Sequence, residues 1–251
     1  MNKTYGLIFL TNIFKYDIIC TIYGDKLGGF MKIIVSNRLL EFSDEELDSM
    51  YIDRGQEGSV YHFEDEAYKI YHTMCLKTRL DEESCLKLKE IPTTNVLMPK
   101  ELIYNTSKQF IGYSTSFIVP ESYVKIWRLK VKEFIHKIDR VYDDLRILSE
   151  RHVSVADLNL DNFIYHDGFY FIDPGSYAIE PEIVSTSKVL LDNWEEFRRF
   201  IVDELFTSYM NSKKKDKIIY KFLGEEYLPD MLVGDYYESE TVKQYLKRIT
   251  S

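Results

Sequence analysis

Short runs of alternating apolar and polar residues fill the first half of this chain and predict β-strands. This period of two marks a half-buried strand, because successive side chains point to opposite faces of a sheet. Ser43 to Leu47 predicts a short capped helical turn between the early strands. The predicted strands are Ile33 to Val35, Tyr51-Ile52, Tyr61 to Phe63, Ala67 to Tyr71, Leu102 to Tyr104 and Phe110 to Val119.

Helical spacing, with apolar residues three and four positions apart, dominates the second half of the chain. The strongest such stripe runs along 131–152. The predicted helices are Leu76 to Ile91, Val131 to His152, Lys188 to Phe206 and Thr241 to Ile249. The pattern therefore predicts an α+β protein, with a small β-rich lobe followed by a mainly helical lobe.

Composition narrows the class of protein. A chain of 251 residues with 45% hydrophobic and 29% charged residues is typical of a soluble globular protein. Its net charge of −9 argues against a nucleic-acid partner, because phosphate backbones require a basic surface. Cys20, Cys75 and Cys85 form no C-x-x-C motif, so a reducing cytoplasm is the expected location. The apolar run Gly6 to Leu10 is too short to cross a bilayer, and no membrane partner is expected.

Oxygen-bearing side chains concentrate between Val155 and Ser176. Asp157 stands five residues before Asn162, and Asp173 directly precedes a Pro-Gly pair. Two apolar runs joined by an Asp-Gly pair lie between them and predict a β-hairpin. This hairpin would bring the three side chains together, and such a set suits Mg²⁺ binding and the orientation of a hydroxyl nucleophile.

A second group of residues lies upstream, in the predicted β-rich lobe. Gly55, Gly58 and Val60 form G-x-x-G-x-V, with an aspartate in place of the first glycine of G-x-G-x-x-G-x-V. Ala67 and Lys69 follow as A-x-K, with the lysine nine residues past the valine. Together with D-x₄-N and D-x-G, in this order, these motifs resemble the protein-kinase-like superfamily, as a compact and divergent Ser/Thr kinase-like domain of bacterial type.

The resemblance implies a bilobal protein-kinase-like fold with a reduced C-lobe, and an ATP site between the lobes. Lys69 would pair with the nucleotide phosphates, and a helix glutamate would hold the lysine. Glu82 is the first choice for that glutamate, with Glu83 as the alternative. The expected nucleotide-binding residues are Gly55, Gly58, Val60, Ala67, Lys69 and, in the hinge, Ile118 and Val119.

The resemblance also implies the chemistry of the other lobe. Asp157 would accept or orient the proton of an attacking hydroxyl, while Asn162 and Asp173 would bind Mg²⁺. The implied cofactors are ATP and Mg²⁺, and the acceptor is a hydroxyl of a protein or a small molecule. The resemblance covers residues 48–206 and divides the chain into an N-terminal extension (1–30), an N-lobe (31–120) and a C-lobe (121–251).

Departures from the kinase pattern leave the acceptor open. Val155-Ala156 replaces His-Arg before the catalytic aspartate, Asn159 stands where many protein kinases have a lysine, and Pro174 replaces the phenylalanine of D-F-G. No A-P-E motif follows. Three hypotheses result: a Ser/Thr-type protein kinase, a small-molecule phosphotransferase of the aminoglycoside or choline type, and a catalytically inactive pseudokinase that acts as a binding module. The motifs favour the first.

Overall fold

An eight-stranded antiparallel sheet forms the first lobe of the structure, a computed structural model that describes residues 25–26, 30–72, 80–210 and 239–251. The strands follow the order β1-β2-β7-β8-β6-β5-β4, and β3 also pairs with β2. They are β1 (Asp25–Lys26), β2 (Phe30–Val35), β3 (Arg38–Ser43), β4 (Tyr51–Arg54), β5 (Gly58–Phe63), β6 (Glu66–Tyr71), β7 (Leu102–Tyr104) and β8 (Phe110–Ser116).

The second lobe is mainly helical. Two short helices, α1 (Asp44–Met50) and α2 (Glu82–Lys89), belong to the sheet lobe. The helical lobe contains a 3-10 helix (Tyr123–Arg128), α3 (Val131–Glu150), α4 (Thr186–Arg199), which continues into a π-helical segment (Phe200–Phe206), and α5 (Val242–Ile249). Its short strands are β9 (Val153–Ser154) paired with β12 (Ala178–Ile179), and the hairpin β10 (Phe163–Tyr165) with β11 (Phe169–Phe171).

This arrangement confirms the predicted α+β class and the order of a β-rich and a helical lobe. Of the helix predicted from Leu76 to Ile91, 76–79 lie outside the described residues; in the described part α2 begins at Glu82, where Asp81 caps it by accepting the Ser84 N–H at 2.7 Å. The last strand of the sheet ends at Ser116, three residues before the predicted end at Val119. Of the predicted N-terminal extension, 1–24 and 27–29 lie outside the described residues. Among the helices described, none is both long and apolar enough to cross a membrane.

The two faces of the sheet have different environments. On the outer face, apolar side chains pack with Leu47 of α1 in a core of their own, among them Tyr61, Tyr68, Ile70, Ile103 and Ile111. On the inner face, Val60, Lys69 and Tyr113 are cross-strand partners on β5, β6 and β8. Tyr113 belongs to the main core, which continues into the helical lobe. The alternation of side chains therefore directs Lys69 toward the second lobe.

A buried carboxylate on α3 ties the two lobes together. Asp144 accepts hydrogen bonds from the backbone N–H groups of Thr94 (3.0 Å), Asn95 and Val96 (2.9 Å). The same segment pairs with Phe171 of β11 through a parallel bridge. Burial raises the pKa of Asp144 and outweighs the opposite effect of the three N–H donors.

Replacing Asp144 with alanine should destabilise the protein, because three backbone donors in and beside the core would lose their acceptor. The expected loss is about 3 kcal/mol in the free energy of unfolding, measured by urea denaturation. Asp143→Ala is the matched control, because the neighbouring carboxylate is 68% exposed and lies 4.0 Å from Arg146. Equal stability of the two variants would contradict this role of Asp144.

Candidate nucleotide site between the lobes

Lys69 joins the two lobes at the centre of the candidate site. Its Nζ atom lies 2.8 Å from both Oδ1 and Oδ2 of Asp173 and 3.0 Å from Oε2 of Glu57. Lys69 and Asp173 are 104 residues apart in sequence. The Lys69 side chain is only 12% exposed, so the three charges interact in a partly dry environment.

Asp173 is held by three separate groups. Besides Lys69, it accepts hydrogen bonds from the Tyr113 hydroxyl and from the Gly175 N–H, each at 3.0 Å. Burial opposes the charged carboxylate, but Lys69 and these donors outweigh it and lower the pKa of Asp173. Burial likewise opposes the charged Lys69, while Asp173 and then Glu57 outweigh it and raise the pKa of the lysine. Both groups are therefore charged at neutral pH.

Gly175 makes room for this charged cluster. A Cβ atom at this position would lie 2.9 Å from Asp173 Oδ1, 3.0 Å from Glu57 Oε2 and 3.1 Å from Lys69 Nζ. These distances are shorter than ordinary van der Waals contact, so a side chain would push the carboxylates or the ammonium aside. The glycine after Asp173-Pro174 thus lets the three charged groups approach one another as they do in this structure.

The Asp157 loop forms a second cluster built from carboxylate and amide groups. Asp157 has a φ of +60°, an uncommon conformation for a residue other than glycine. Asn159 Nδ2 donates to Asp157 Oδ1 at 2.7 Å, and Asn162 Nδ2 donates to Asp157 Oδ2 at 3.1 Å. The Oδ1 atom of Asn159 accepts from the backbone N–H groups of Asp161 (2.9 Å) and Asn162 (3.0 Å). The loop is therefore held by its own side chains, with the Asp157 carboxylate at the surface.

Residues of the helical lobe fix both ends of this loop. Asn193 of α4 is fully buried, accepts the Val155 N–H at 2.8 Å and donates to the Val153 carbonyl at 2.9 Å. Glu204 accepts the Leu160 N–H at 2.8 Å. Because these bonds are to the backbone on either side of Asp157, they anchor the loop to α4 and to the π-helical segment that continues it.

The partner of Lys69 differs from the prediction. Neither candidate glutamate of α2 reaches the lysine: Glu82 accepts a hydrogen bond from the Tyr104 hydroxyl at 2.8 Å, and Glu83 pairs with Lys87 at 2.7 Å. Glu57, from the turn between β4 and β5, takes that place. Glu82 lies at the start of α2, where its exposed side chain contacts Tyr104 of β7, so this structure does not contain the predicted Glu82–Lys69 pair.

The two glycines of the turn serve different purposes. Gly58 is buried, and a Cβ there would lie 2.5 Å from the Ile70 carbonyl oxygen, so strand packing requires this glycine. Gly55 closes the turn by donating its N–H to the Gly58 carbonyl at 2.9 Å, and a Cβ there would be in ordinary van der Waals contact with the Gly58 carbonyl oxygen at 3.9 Å. The predicted contact of this turn with phosphates stays a prediction.

The other predicted nucleotide-binding residues lie on the inner face of the sheet and in the segment that follows β8. Val60 is the cross-strand partner of Lys69, and Ala67 lies two residues before it, so both face the second lobe beside the lysine. Ile118 and Val119 lie in the extended segment after β8, and their backbone groups make no hydrogen bond within the described part of the chain. These groups could therefore serve a ligand, and their role stays a prediction.

The donor set fits a magnesium–nucleotide complex. Asp173 offers a carboxylate, and the Oδ1 atom of Asn162 has no hydrogen-bond donor among the described residues. No group of three or more His, Cys, Asp or Glu side chains suited to a metal ion occurs in the described ranges. Mg²⁺ needs no such group, because it is typically held by one or two carboxylates, water and substrate phosphates. Asp173 and Asn162 would supply the protein ligands of the metal, and Lys69 would pair with the phosphates.

Comparisons with known proteins found similarity among solved structures. No family model matches the chain, and no curated protein matches it. Among solved structures, the chain is similar to the autoinhibited serine kinase domain of the giant muscle protein titin, with 16% identity and a TM-score of 0.47. The similarity covers 82% of this chain and 75% of the titin domain.

Proposed function

We propose that this protein is an ATP- and Mg²⁺-dependent phosphotransferase that acts on a hydroxyl acceptor, and that the acceptor is a serine or threonine of a protein. The observation that carries the proposal is the direct contact of Lys69 with Asp173 across the lobes. The Asp157–Asn162 loop is joined to this pair because the Asn162 carbonyl accepts the N–H of Ile172, the residue before Asp173, at 3.0 Å. A cation for phosphate, a carboxylate for metal and a carboxylate for a hydroxyl are the groups that phosphoryl transfer requires.

Each residue has a defined task in this proposal. When bound, Mg·ATP supplies the phosphoryl group, and its transfer to the hydroxyl oxygen releases ADP. Lys69 would offset phosphate charge, while Asp173 and the Oδ1 atom of Asn162 would hold the metal. Asp157 takes the hydroxyl proton on a carboxylate oxygen, and the Asn159 and Asn162 amides hold that carboxylate in position. Catalysis then rests on positioning and electrostatic stabilisation.

The chain path between the lobes favours a protein acceptor. Residues 117–122 lead directly into the 3-10 helix Tyr123–Arg128 and then into α3, with no additional helical subdomain in this continuous described stretch. Small-molecule kinases of the aminoglycoside and choline type often build their substrate pocket at that point. The segment 177–185 follows the turn at Asp173 and is partly exposed, with Ile183 94% exposed. This exposed segment offers a surface that a protein acceptor could contact.

Measurement of ADP release and phosphate incorporation tests the proposal. The protein is incubated with Mg·ATP alone, with a serine-rich protein, and with small amino alcohols. We expect magnesium-dependent ADP release with phosphate on serine or threonine residues of this protein or the added one. Release only with the small alcohols would replace the protein kinase by a small-molecule phosphotransferase, and no release under any condition would favour a pseudokinase.

A further inference from the structure

The turn that precedes β5 carries the charged partner of Lys69, a position to which the kinase pattern assigns no such role. We infer that Glu57 is the positioning residue for Lys69 in the loaded site, in place of a glutamate from α2. This inference rests on the proposed function, because it assigns the lysine a phosphate-binding task. As a consequence, the turn between β4 and β5 would both cover the nucleotide and hold Lys69 through Glu57.

The hydrogen bonds of the ammonium group support this assignment. Lys69 has three N–H donors, and three carboxylate oxygens surround it, two from Asp173 and one from Glu57. Asp173 also accepts from Tyr113 and Gly175, so it stays in place without the lysine. In the loaded site Asp173 would hold the divalent cation, and lysine donors would be needed for phosphate oxygens. Glu57 then remains as the carboxylate that fixes the lysine.

The turn is built to hold Glu57 in this position. The Glu57 carbonyl accepts the His72 N–H at 2.7 Å, which ties the turn to the residue that follows β6. The buried His72 ring is in turn 3.2 Å from the Ser59 hydroxyl. Gly175 leaves the space that the Glu57 carboxylate occupies. The chain is therefore anchored at Glu57 itself and at Ser59, and the carboxylate has space beside the lysine.

The geometry of α2 excludes the alternative within the described residues. Glu82 and Glu83 are engaged by Tyr104 and Lys87, and their side chains point away from the site. Glu83 is 78% exposed, whereas Glu57 is 23% exposed. An ion pair that is partly withdrawn from water is screened less than one at the surface. Glu57 is therefore better placed than Glu83 to stabilise the Lys69 ammonium group.

The pH profile of Lys69 acetylation by acetic anhydride, read by peptide mass spectrometry, tests the inference without nucleotide. Only the uncharged amine reacts, and the carboxylates raise the pKa of Lys69, so the reaction requires high pH. Glu57→Gln removes one of these charges while keeping the side-chain shape. We expect this variant to react at lower pH than the wild type, whereas Glu82→Gln and Glu83→Gln, the matched controls on α2, should not differ from it.

Turnover of Mg·ATP provides the second measurement on the same proteins. Glu57→Gln should lower kcat/KM by about 10²-fold, as expected when a catalytic group is misplaced, and the two α2 variants should retain wild-type values. An unchanged acetylation profile, an unchanged kcat/KM in Glu57→Gln, or an equal effect of Glu82→Gln would overturn the inference. If the wild type itself turns over no nucleotide, the proposed function fails, and the acetylation profile alone decides whether Glu57 positions the lysine.

Discussion

Asp157→Asn should reduce phosphoryl transfer by about 10²–10⁴-fold, the range typical of a lost general base. The asparagine keeps an oxygen that can accept the Asn159 amide hydrogen, but it loses the Oδ2 acceptor of the Asn162 amide. Asn162 Nδ2 still donates to the backbone carbonyl of residue 157 at 3.0 Å, so the loop can keep its conformation. It cannot take a proton from the acceptor hydroxyl. We therefore expect kcat to fall while the affinity for Mg·ATP stays within a few-fold of the wild type. Steady-state kinetics together with calorimetric titration of Mg·ATP measure the two quantities separately.

Asp161→Asn is the matched control for this prediction. Asp161 is an exposed carboxylate of the same loop, and its backbone N–H, not its side chain, takes part in the loop hydrogen bonds. Its replacement should leave kcat close to the wild-type value. If Asp157→Asn retains wild-type kcat, or if both variants lose activity equally, Asp157 is not the group that receives the proton.

Asp173→Ala should abolish magnesium-dependent nucleotide binding. The substitution removes the only carboxylate that contacts Lys69 from the helical lobe of the described structure, and it leaves the fully buried ring of Tyr113 with a hydroxyl that has lost its acceptor. We therefore also expect the ligand-free protein to be destabilised by about 1–3 kcal/mol. Calorimetric titration with ATP, with and without Mg²⁺, measures the first effect, and urea denaturation measures the second.

Asp173→Asn separates loss of metal binding from loss of structure. The amide oxygen can still accept from Tyr113 and from the Gly175 N–H, so this variant should be more stable than the alanine variant. It lacks the negative charge that a hard divalent cation requires, so binding should still not respond to Mg²⁺. Asp167→Asn, in the turn of the β10–β11 hairpin and 95% exposed, should bind as the wild type does. Retention of magnesium-dependent binding in Asp173→Asn would remove this residue from the metal site.

Much of the fold follows from local sequence signals. The Asp-Gly turn between two apolar runs gave a hairpin in the expected place, and the stripe beginning at Val131 gave α3. Apolar spacing did not reveal the helix start at Glu82, because the capping bond of Asp81 decides where α2 begins. Such a bond depends on backbone geometry, which spacing alone does not define.

The candidate site was only partly predictable. Motif order identified Lys69 and Asp173, and the structure places them in contact. The contact of Glu57 with Lys69 was not predictable from the motifs, because the kinase pattern places the partner of this lysine on a helix, although an acidic residue stands between the two glycines in the sequence. Asn159 was interpreted as a lost lysine, whereas an asparagine at this spacing is also typical of a side chain that organises a turn. Asn193 gives no sequence signal, since its partners lie about 40 residues away.

The melting temperature of the wild-type protein with and without saturating Mg·ATP tests the central claim most directly. A ligand at a hundredfold excess over its Kd stabilises the folded state by about 2.7 kcal/mol. For a domain of this size the melting temperature should rise by about 5–10 °C. The account predicts a rise that requires Mg²⁺ and is absent in Asp173→Ala. An unchanged melting temperature at millimolar Mg·ATP would contradict the nucleotide site between Lys69 and Asp173.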